Sequence, residues 1–236
     1  MCWSYFFFHG ELNDFFSKDK PQGYLPYKLN RRAAIKDVIE ALGPPHTEID
    51  CLLVNNNIQG FDYHLKCQDR VRVFPFLPPV DTQKATQLHP RSFPGNRFIV
   101  DVNVGKLANL LRLLGLDASY NPEWEDKYIA QESWAEKRIV LTKDQGLLKR
   151  NNVIWGRLVR ANLPSEQLKE IIYFFGLQNS LHPFTRCLRC NVKLNPVPKE
   201  KIIHRLEPKT KKYFNDFLIC PQCQRIYWAG SHQQNM

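Results

Sequence analysis

The sequence contains no long hydrophobic run. A membrane-spanning helix needs about 18 or more consecutive apolar residues, and polar or charged side chains interrupt every stretch of that length. The first residues, MCWSYFFFHGELNDFF, lack the basic start and cleavage site of a secretory signal, so we interpret them as a first β-strand. The chain also has no glycine-rich phosphate loop, no G-x-S-x-G turn and no Ser-His-Asp order. These absences argue against a membrane protein and against the phosphate-loop and serine-hydrolase classes.

Cysteine is sparse outside one region of the chain. Of the seven cysteines, four stand in two close pairs, and Cys2, Cys51 and Cys67 are scattered. Secreted disulfide frameworks generally use an even set, so this odd count favours a reducing compartment. We therefore expect a cytoplasmic protein.

The positive charge is concentrated in the second part of the chain. The formal net charge is +10 at pH 7, and residues 1–80 carry equal numbers of basic and acidic side chains, so the whole excess lies after them. A basic region with aromatic residues nearby favours a polyanionic partner, most simply nucleic acid. The alternative is ordinary surface solvation in a protein of high isoelectric point.

Proline-rich sequence divides the chain into domains. The stretch FPFLPPVDTQKATQLHPRSFPG has no helical period and becomes polar towards its end, which is typical of a linker. We place the linker at residues 81–96, after an N-terminal domain at 1–80. Two further domains follow, at 97–180 and 181–236.

The N-terminal domain has the pattern of a small α+β fold. WSYFFF, the alternating residues 24–29, IDCLLV and RVRVFPF predict four strands, and RRAAIKDVIEALG predicts a helix after the second. This order resembles the β-grasp, ubiquitin-like domain of the sulfur carriers of thiamine and molybdopterin synthesis. Those carriers end in Gly-Gly, whereas this chain has Pro78-Pro79 there and continues. We therefore expect the domain to dock a protein partner and not to transfer sulfur.

Residues 97–176 alternate between strand and helix patterns. RFIVDV, DASY, RIVLT and VIWG predict four short strands. GKLANLLRLLG, EWEDKYIAQESWAEK and PSEQLKEIIYFFG predict helices between and after them. Alternation with short connections predicts a parallel sheet with helices on both faces, which is a three-layer α/β fold.

Two C-x-x-C pairs near the C-terminus predict a zinc site. Two residues between thiolates allow one tight turn to present both sulfurs to a tetrahedral ion, and two such turns complete the shell. A four-sulfur shell leaves no position for water, so the zinc would be structural. An iron–sulfur centre, a redox pair and a chance pairing are the alternatives. The predicted ligands are Cys187, Cys190, Cys220 and Cys223.

The basic insert KEKIIHRLEPKTKKYF lies between the two cysteine pairs. Lys209, Lys211 and Lys212 suit contacts with phosphates, and Tyr213 suits stacking on a base. We predict an RNA contact at these four residues. A solvated hairpin without a ligand is the alternative.

Acidic residues stand where the predicted parallel strands end. Asp101 closes the first strand and Asp144 follows RIVLT, while Glu125 and Asp126 lie early in the helix between them. Ligands of parallel sheets bind beyond the carboxyl ends of the strands, so these acids would converge on one edge. Clustered carboxylates repel unless a cation separates them, and hard oxygen ligands favour Mg²⁺ or Mn²⁺. A capping role is the alternative for each acid, and it is favoured for Asp117.

Four motifs resemble, in the same order, the Mut-seven-C ribonuclease family: RFIVDVNVGKLANLLRLLGLDASY, RIVLTKDQGLLKR, PFTRCLRCNVKL and CPQCQRIYWAGSH. That family is similar to PIN-domain nucleases and carries a C-terminal zinc ribbon, and some bacterial members begin with a ubiquitin-like domain. The resemblance covers residues 97–236 well and 1–80 more loosely. It implies that Asp101 is the first-strand acid and that Asp144 is the acid of the T-R-D motif, here Thr142-Lys143-Asp144.

The resemblance implies a metal-dependent ribonuclease with a PIN-like domain, a zinc ribbon and a β-grasp domain. Asn121-Pro122 and Glu125-Asp126 depart from the acidic pattern that the family often shows at these positions. The predicted catalytic acids are Asp101, Asp144 and either Asp126 or Glu125, with magnesium or manganese as cofactor. The alternative is a non-catalytic RNA-binding or adaptor protein that has lost a metal ligand. A sulfur-carrier fusion is disfavoured by the missing Gly-Gly.

Overall fold

The structure, a computed structural model, describes residues 2–17, 23–93 and 95–228. Its strands form a mixed five-stranded sheet, a parallel four-stranded sheet and an antiparallel three-stranded sheet, in that order along the chain. In these three ranges, no helix combines the length and the apolar character that are needed to cross a membrane.

The N-terminal domain is a β-grasp fold, as predicted. Its elements are β1 (Trp3–Phe8), β2 (Leu25–Lys28), α1 (Ile35–Leu42), β3 (Ile49–Val54), β4 (Asn57–Ile58) and β5 (Arg70–Pro75). The sheet order is β2-β1-β5-β3-β4, in which β1 and β5 run parallel and the other neighbours antiparallel. The two-residue strand β4 was not predicted from the sequence.

Alternating burial along the strands places α1 on one face of this sheet. β1 buries every second residue, so Phe6 and Phe8 pack in the same core as Ile35 and Ile39 of α1. α1 ends at Leu42, and the next residue, Gly43, has a φ of 149° that is open to glycine and strained for residues with a Cβ atom.

Cys2 and Cys67 form a disulfide in the structure, although their scattered positions gave no sign of a pair. Cys2 immediately precedes β1, and Cys67 lies shortly before β5, the parallel neighbour of β1. Their Cα atoms are therefore 5.1 Å apart despite a sequence separation of 65 residues. Cys51 is free and half-buried.

The middle domain is a PIN-like three-layer α/β fold, as predicted. Its elements are β6 (Arg97–Val100), α2 (Gly105–Leu113), β7 (Asp117–Ser119), α3 (Asp126–Glu136), β8 (Ile139–Thr142), α4 (Gln145–Leu148), β9 (Gly156–Leu158) and α5 (Pro164–Phe174). The strand order is β7-β6-β8-β9, and all neighbours run parallel.

Both faces of this parallel sheet are buried. Phe98 and Leu141 pack with α2 and α5 on one face, whereas Ile99 and Val140 pack with α3 and α4 on the other. Strands that are covered on both sides consist of continuous apolar residues. Polar and charged groups are therefore confined to the ends and edges of the sheet.

The fourth predicted strand is present, but its predicted position at VIWG was too early, because β9 starts at the last residue of that stretch. Val153 and Trp155 are buried by packing, and the backbone reaches β8 where the Val140 amide donates to the Trp155 carbonyl at 3.0 Å. At Gly156 a Cβ atom would lie 2.5 Å from the Leu148 side chain, so glycine allows the close approach. An apolar run alone does not distinguish a strand from buried irregular chain.

The C-terminal domain is a three-stranded zinc-ribbon fold with a helical insert. Its elements are β10 (Asn195–Val197), α6 (Lys199–Ile202), α7 (Pro208–Tyr213), β11 (Phe217–Ile219) and β12 (Ile226–Trp228). The basic insert forms two short helices and not the hairpin considered as its alternative. Ile202 of α6, Leu206 and Phe217 of β11 form a small core that joins the insert to the ribbon.

The chain between the first two sheets packs closely against both of them. Its described residues form neither helix nor strand, yet Phe76 belongs to the core of the middle domain. His89 is buried, and its ring stacks on Trp155 of the middle domain with centroids 4.7 Å apart. Its Nε2 also hydrogen bonds to the Ile49 carbonyl of the N-terminal domain at 2.8 Å. The segment therefore joins the two domains through side-chain contacts as well as through the backbone.

Two arginines of the middle domain bind carboxylates of the N-terminal domain. Arg157 contacts Glu11 and lies 3.0 Å from Glu48, and Arg160 lies 3.1 Å from Glu48. The Glu48 side chain is 1% exposed, that of Arg157 is 5% exposed, and the Leu158 amide donates to Glu48 at 2.7 Å. Because Arg157 and Glu48 are removed from water, salt screens their attraction less than it screens a surface pair.

Replacing Arg157 by methionine is expected to lower the free energy of unfolding by about 3–5 kcal/mol, the usual cost of removing one partner of a buried ion pair. Glu48 would keep its buried charge with Arg160 as its remaining arginine partner. Urea denaturation measures the change. In the control Lys169→Met, loss of the exposed pair with Glu166 should cost less than about 1 kcal/mol. Equal losses in the two proteins would contradict the buried network.

Candidate functional site

The predicted acids lie at the point where the strand connections of the parallel sheet diverge. From β6 the chain passes to β7 on one side, and from β8 it passes to β9 on the other. The carboxyl ends of β6 and β8 therefore border the crevice at which open parallel sheets bind ligands. Asp101 directly follows β6, and Asp144 follows shortly after β8.

The Asp101 carboxylate is buried and held by three hydrogen bonds. Its Oδ1 accepts from the Val102 amide at 2.6 Å, and its Oδ2 accepts from Asn103 Nδ2 and Thr142 Oγ1, each at 2.6 Å. Asp101 is only 5% exposed. The side chain is thus fixed in one orientation at the end of β6.

The Thr142 hydroxyl connects the two strand ends. While donating to Asp101, its Oγ1 accepts from the Asp144 amide at 2.8 Å and from Asn103 Nδ2 at 3.2 Å. Asp144 itself is exposed, and its Oδ1 accepts from the Gly146 amide at 2.6 Å, which caps α4. The other carboxylate oxygen of Asp144 has no hydrogen bond among the described residues.

Asn103 is a member of the site that the sequence analysis missed. Besides its contacts with Asp101 and Thr142, its Oδ1 accepts from the Lys143 amide at 3.0 Å. It therefore bridges the loops after β6 and β8. The signal in the sequence is Asp-x-Asn directly after a buried strand, where a short amide can bond the neighbouring backbone.

Asp126 and Glu125 stand at the start of α3. Glu125 is the exposed N-terminal cap residue of that helix, and Asp126 is its first residue. Burial and the charges of Asp144 and Asp101 raise the pKa of the Asp126 carboxyl, while Arg150 at 3.8 Å opposes this effect. The electrostatic field of the two strand-end acids therefore reaches Asp126.

The four predicted cysteine ligands come together in the ribbon. Their sulfur atoms all lie within 4.8 Å of one another. In the described part of the chain, no other group of three or more His, Cys, Asp or Glu side chains meets the same distance. The acids at the sheet edge are thus near enough to interact, but they do not form a comparably tight cluster.

The two cysteine turns have the same internal geometry. In each, the amide of the second cysteine donates to the sulfur of the first at 3.3 Å, and the next amide donates to the carbonyl of the first at 3.0 Å. The residue after each pair, Asn191 or Gln224, adopts a left-handed conformation with φ of 61° or 58°. Two equivalent turns present four sulfurs to one point, which fits a tetrahedral metal.

Tyr227 favours the ionised form of one thiol. Its hydroxyl lies 3.1 Å from the Cys187 sulfur and accepts from the Leu188 amide at 3.2 Å. Burial opposes ionisation, but hydrogen bonds from Tyr227 and from the Cys190 and Arg189 amides lower the pKa of Cys187 to about 6. The thiolate is the form that binds metals.

The first cysteine turn is bonded to the middle domain. Buried Arg112 of α2 donates to the carbonyls of Ala118 and Leu188, each at 2.8 Å. The Asn191 side chain accepts from the Ala118 amide at 3.1 Å and donates to Asp117 at 2.8 Å. The ribbon is thereby fixed against α2 and the edge strand β7.

Asp117 has the structural role that the sequence favoured for it. Its carboxylate pairs with Arg138 at 2.6 Å and lies 3.7 Å from Arg186. Burial raises its pKa, but the hydrogen bonds from Arg138 and Asn191 outweigh that effect and lower the pKa. The charge of the Asp117 carboxylate is thus balanced by groups of the protein. Asp117 is the first residue of β7, whereas the crevice lies beyond the last.

The four predicted RNA-contact residues lie on α7. Tyr213 is 66% exposed, and Lys212 Nζ lies 5.4 Å from the centroid of its ring. Lys209 is exposed as well, whereas Lys211 is half-buried. The insert therefore presents an aromatic ring with cations beside it to solvent.

The chain thus combines a β-grasp domain, a PIN-like domain with acids at its strand ends and a four-cysteine ribbon, in that order. The family model of the Mut7-C RNAse domain matches residues 96–236, and that of the Mut7-C ubiquitin domain matches residues 1–81. The chain belongs to the Mut7-C RNAse family, which confirms the resemblance seen in its motifs. No curated protein and no solved structure matches the chain.

The equivalent positions Asn191 and Gln224 allow a matched test of ribbon docking. Asn191→Gly keeps the left-handed backbone but removes the bonds to Ala118 and Asp117, so it should cost about 2–4 kcal/mol of unfolding free energy. Gln224→Gly, whose side chain is exposed, should change stability by less than about 1 kcal/mol. Thermal and urea unfolding of both proteins measure these effects. Similar effects at the two positions would show that the Asn191 side chain does not anchor the ribbon.

Proposed function

We propose that this protein is a metal-dependent ribonuclease that hydrolyses RNA phosphodiester bonds at the acidic edge formed by Asp101, Asp126 and Asp144. The observation that carries the proposal is the position of Asp101 and Asp144 at the diverging strand ends of a Mut7-C RNAse domain. Hydrolysis of a phosphodiester requires an activated water and compensation of charge at the phosphate. A group of carboxylates at a crevice can meet both requirements by binding a divalent cation.

The chemistry of this edge fits a hard cation. The strand-end acids raise the pKa of Asp126, which means that the carboxylates repel one another when all are ionised. Carboxylate oxygens are the donors that Mg²⁺ and Mn²⁺ prefer. When bound, the ion would supply activation of water and stabilisation of the charge on the phosphate.

Each acid has a distinct part in this proposal. Asp101 is an immobile ligand, because three hydrogen bonds fix its carboxylate. Asp144 uses one oxygen to cap α4 and leaves the other for the cation. Asp126 at the start of α3 is the third ligand. Exposed Glu125 beside it is the alternative third ligand if Asp126 is dispensable. Asn103 and Thr142 are positioning residues that hold the two strand ends together.

We further propose that the four cysteines bind one structural zinc ion. The sulfur cluster, the paired turns and the lowered pKa of Cys187 support this assignment. Four thiolates complete a tetrahedral shell and leave no position for water. The zinc would therefore hold the ribbon together and would take no part in hydrolysis.

The RNA would be held partly by the basic C-terminal region. Lys209, Lys211 and Lys212 on α7 suit phosphate contacts, and exposed Tyr213 suits stacking on a base. The net positive charge of the second part of the chain supports attraction of a polyanion. The β-grasp domain is the proposed docking site for a protein partner.

A non-catalytic RNA-binding or adaptor protein is the second candidate function. One observation favours it: the acids at the sheet edge do not cluster as tightly as the four thiols. Such a protein would bind RNA through the same basic surfaces and would not cleave it. Cleavage assays on single-stranded and structured RNA, with and without manganese, distinguish the two candidates.

Asp144→Asn is the sharpest test of the catalytic proposal. Asparagine caps a helix as well as aspartate does, so the bond from Gly146 is kept and only the charge is lost. Manganese-dependent cleavage should fall at least about 100-fold, because anchoring the cation contributes several kcal/mol to catalysis. The melting temperature should change little.

The matched control is Asp81→Asn. Asp81 makes the same kind of turn, accepting from the Gln83 amide at 3.0 Å, but it lies in the segment between the first two domains. Its variant should cleave RNA at the wild-type rate. A folded Asp144→Asn protein that also cleaves at the wild-type rate would refute the catalytic role of the acidic edge.

Cys187→Ser is expected to abolish zinc binding and to destabilise the ribbon, since metal binding and folding are coupled in small zinc domains. Cys51→Ser is the control, because Cys51 is a free, half-buried cysteine outside the cluster. Elemental analysis of protein purified under reducing conditions should find about one zinc per chain in wild type and in the control. Wild-type protein that is folded and free of zinc would exclude the structural zinc site.

A further inference from the structure

A cavity of about 610 Å³ lies between the edge strand β7 and the first cysteine turn of the ribbon. Its volume falls in the range of roughly 300–1,000 Å³ that is common for ligand sites. Its lining includes neither the acids of the proposed catalytic edge nor the basic residues of α7. It is therefore a third, separate feature of the molecule.

The carboxylates of this cavity are largely compensated by its own arginines. Asp117 pairs with Arg138 at 2.6 Å and lies 3.7 Å from Arg186, and Glu136 also contacts Arg138. The third acid, Glu132, lies beside Glu136, and burial together with that neighbour raises its pKa. Asp117 and Glu136 are therefore paired with arginines of the protein itself.

Two exposed cations of the cavity have no carboxylate partner among the described residues. Arg112 is not one of them, because it is buried and donates to backbone carbonyls at 2.8 Å. Arg189 and Lys193 are exposed, one inside the cysteine turn and the other just after it. Unpaired cations on the rim of a cavity favour an anionic ligand.

Two aromatic residues that line the cavity belong to segments next to the acidic edge. Tyr120 and Trp124 both line it. A Cβ atom on Gly105 would lie 2.5 Å from the Tyr120 hydroxyl, so Tyr120 covers the start of α2, close in sequence to Asp101. Trp124 stands directly before Glu125 and the start of α3. The same short segments thus contribute to the cavity and to the acidic edge.

We propose that this cavity binds one nucleotide of a single-stranded RNA, with its phosphate at Arg189 and Lys193 and its base against Tyr120 and Trp124. The proposal rests on the proposed ribonuclease function and extends it to the substrate class. Cations beside aromatic rings are the usual means of holding single strands, whereas a duplex keeps the faces of its bases stacked. The strand would pass from the ribbon into the acidic crevice.

The test compares two charge-reversed proteins in the full-length Asp144→Asn background. Arg189→Glu with Lys193→Glu changes the cavity, and Arg225→Glu with Lys201→Glu makes the same change of net charge at exposed ribbon positions outside it. Fluorescence anisotropy measures binding of a labelled, unstructured oligoribonucleotide without added magnesium or manganese. Zinc content and melting temperature verify that each protein is folded.

The cavity variant should bind at least about 10-fold more weakly, and its salt slope should fall by about 0.7, as expected when one phosphate of a single strand is no longer neutralised. The control variant should lose less than about 3-fold, through long-range charge alone. Equal losses in the two proteins would overturn the proposal. Tighter binding of a duplex than of the single strand would overturn it as well.

Competition distinguishes a nucleotide site from a simple anion site. Adenosine monophosphate should displace the labelled RNA at a lower concentration than inorganic phosphate does, because the base adds contact with the aromatic residues. Equal competition by adenosine monophosphate and inorganic phosphate would show that Tyr120 and Trp124 do not bind the base. If the Asp144→Asn protein still cleaves RNA, the catalytic assignment fails. The comparison of the charge-reversed proteins would still test whether the cavity binds RNA.

Discussion

Burial of the two central strands on both faces is the constraint on which the rest of the molecule depends. β6 and β8 are covered by helices on each side, so after Arg97 at the start of β6 neither strand carries a charge along its length. The first polar groups appear where the strands end, at Asp101 and Thr142. The Thr142 hydroxyl then links the two ends and orients Asp101. The geometry of the acidic edge is thus a product of the hydrophobic core beneath it.

The edge strand β7 extends this constraint to the ribbon. Asp117 at the start of β7 is neutralised by Arg138 of the middle domain, and Asn191 of the ribbon bonds the same carboxylate. Arg112 adds bonds to carbonyls of the first cysteine turn. The first cysteine turn is therefore also the surface by which the ribbon docks. Its conformation is coupled to the packing of the middle domain through these bonds.

Local patterns in the sequence predicted most of the fold because they are set by near neighbours along the chain. Helical spacing placed α1, α2 and α5, and strand-terminal acids placed Asp101 and Asp144 at one edge. The paired cysteines predicted the cluster that the ribbon forms. The resemblance in four motifs identified the family that the family models confirm.

Features that depend on distant parts of the chain were not predictable in this way. The Cys2–Cys67 disulfide follows from the pairing of β1 with β5, which no local pattern shows. The hydrogen bonds of Asn103 depend on the loop after β8, which is distant in sequence. The start of β9 was predicted too early, because buried apolar residues in irregular chain resemble a strand in sequence. The choice between Glu125 and Asp126 depends on the direction of α3 relative to both strand ends.

The buried bond between Arg157 and Glu48 has a consequence for how the molecule can come apart. His46 and Lys149 add hydrogen bonds across the same junction, at 2.8 Å to the Val153 carbonyl and at 2.7 Å to the Glu40 carbonyl. A protease that cut the exposed chain around residue 85 would therefore sever the backbone without freeing either half. The two fragments of the cut protein would still migrate as one particle until a denaturant disrupted the salt bridges and the packing between them.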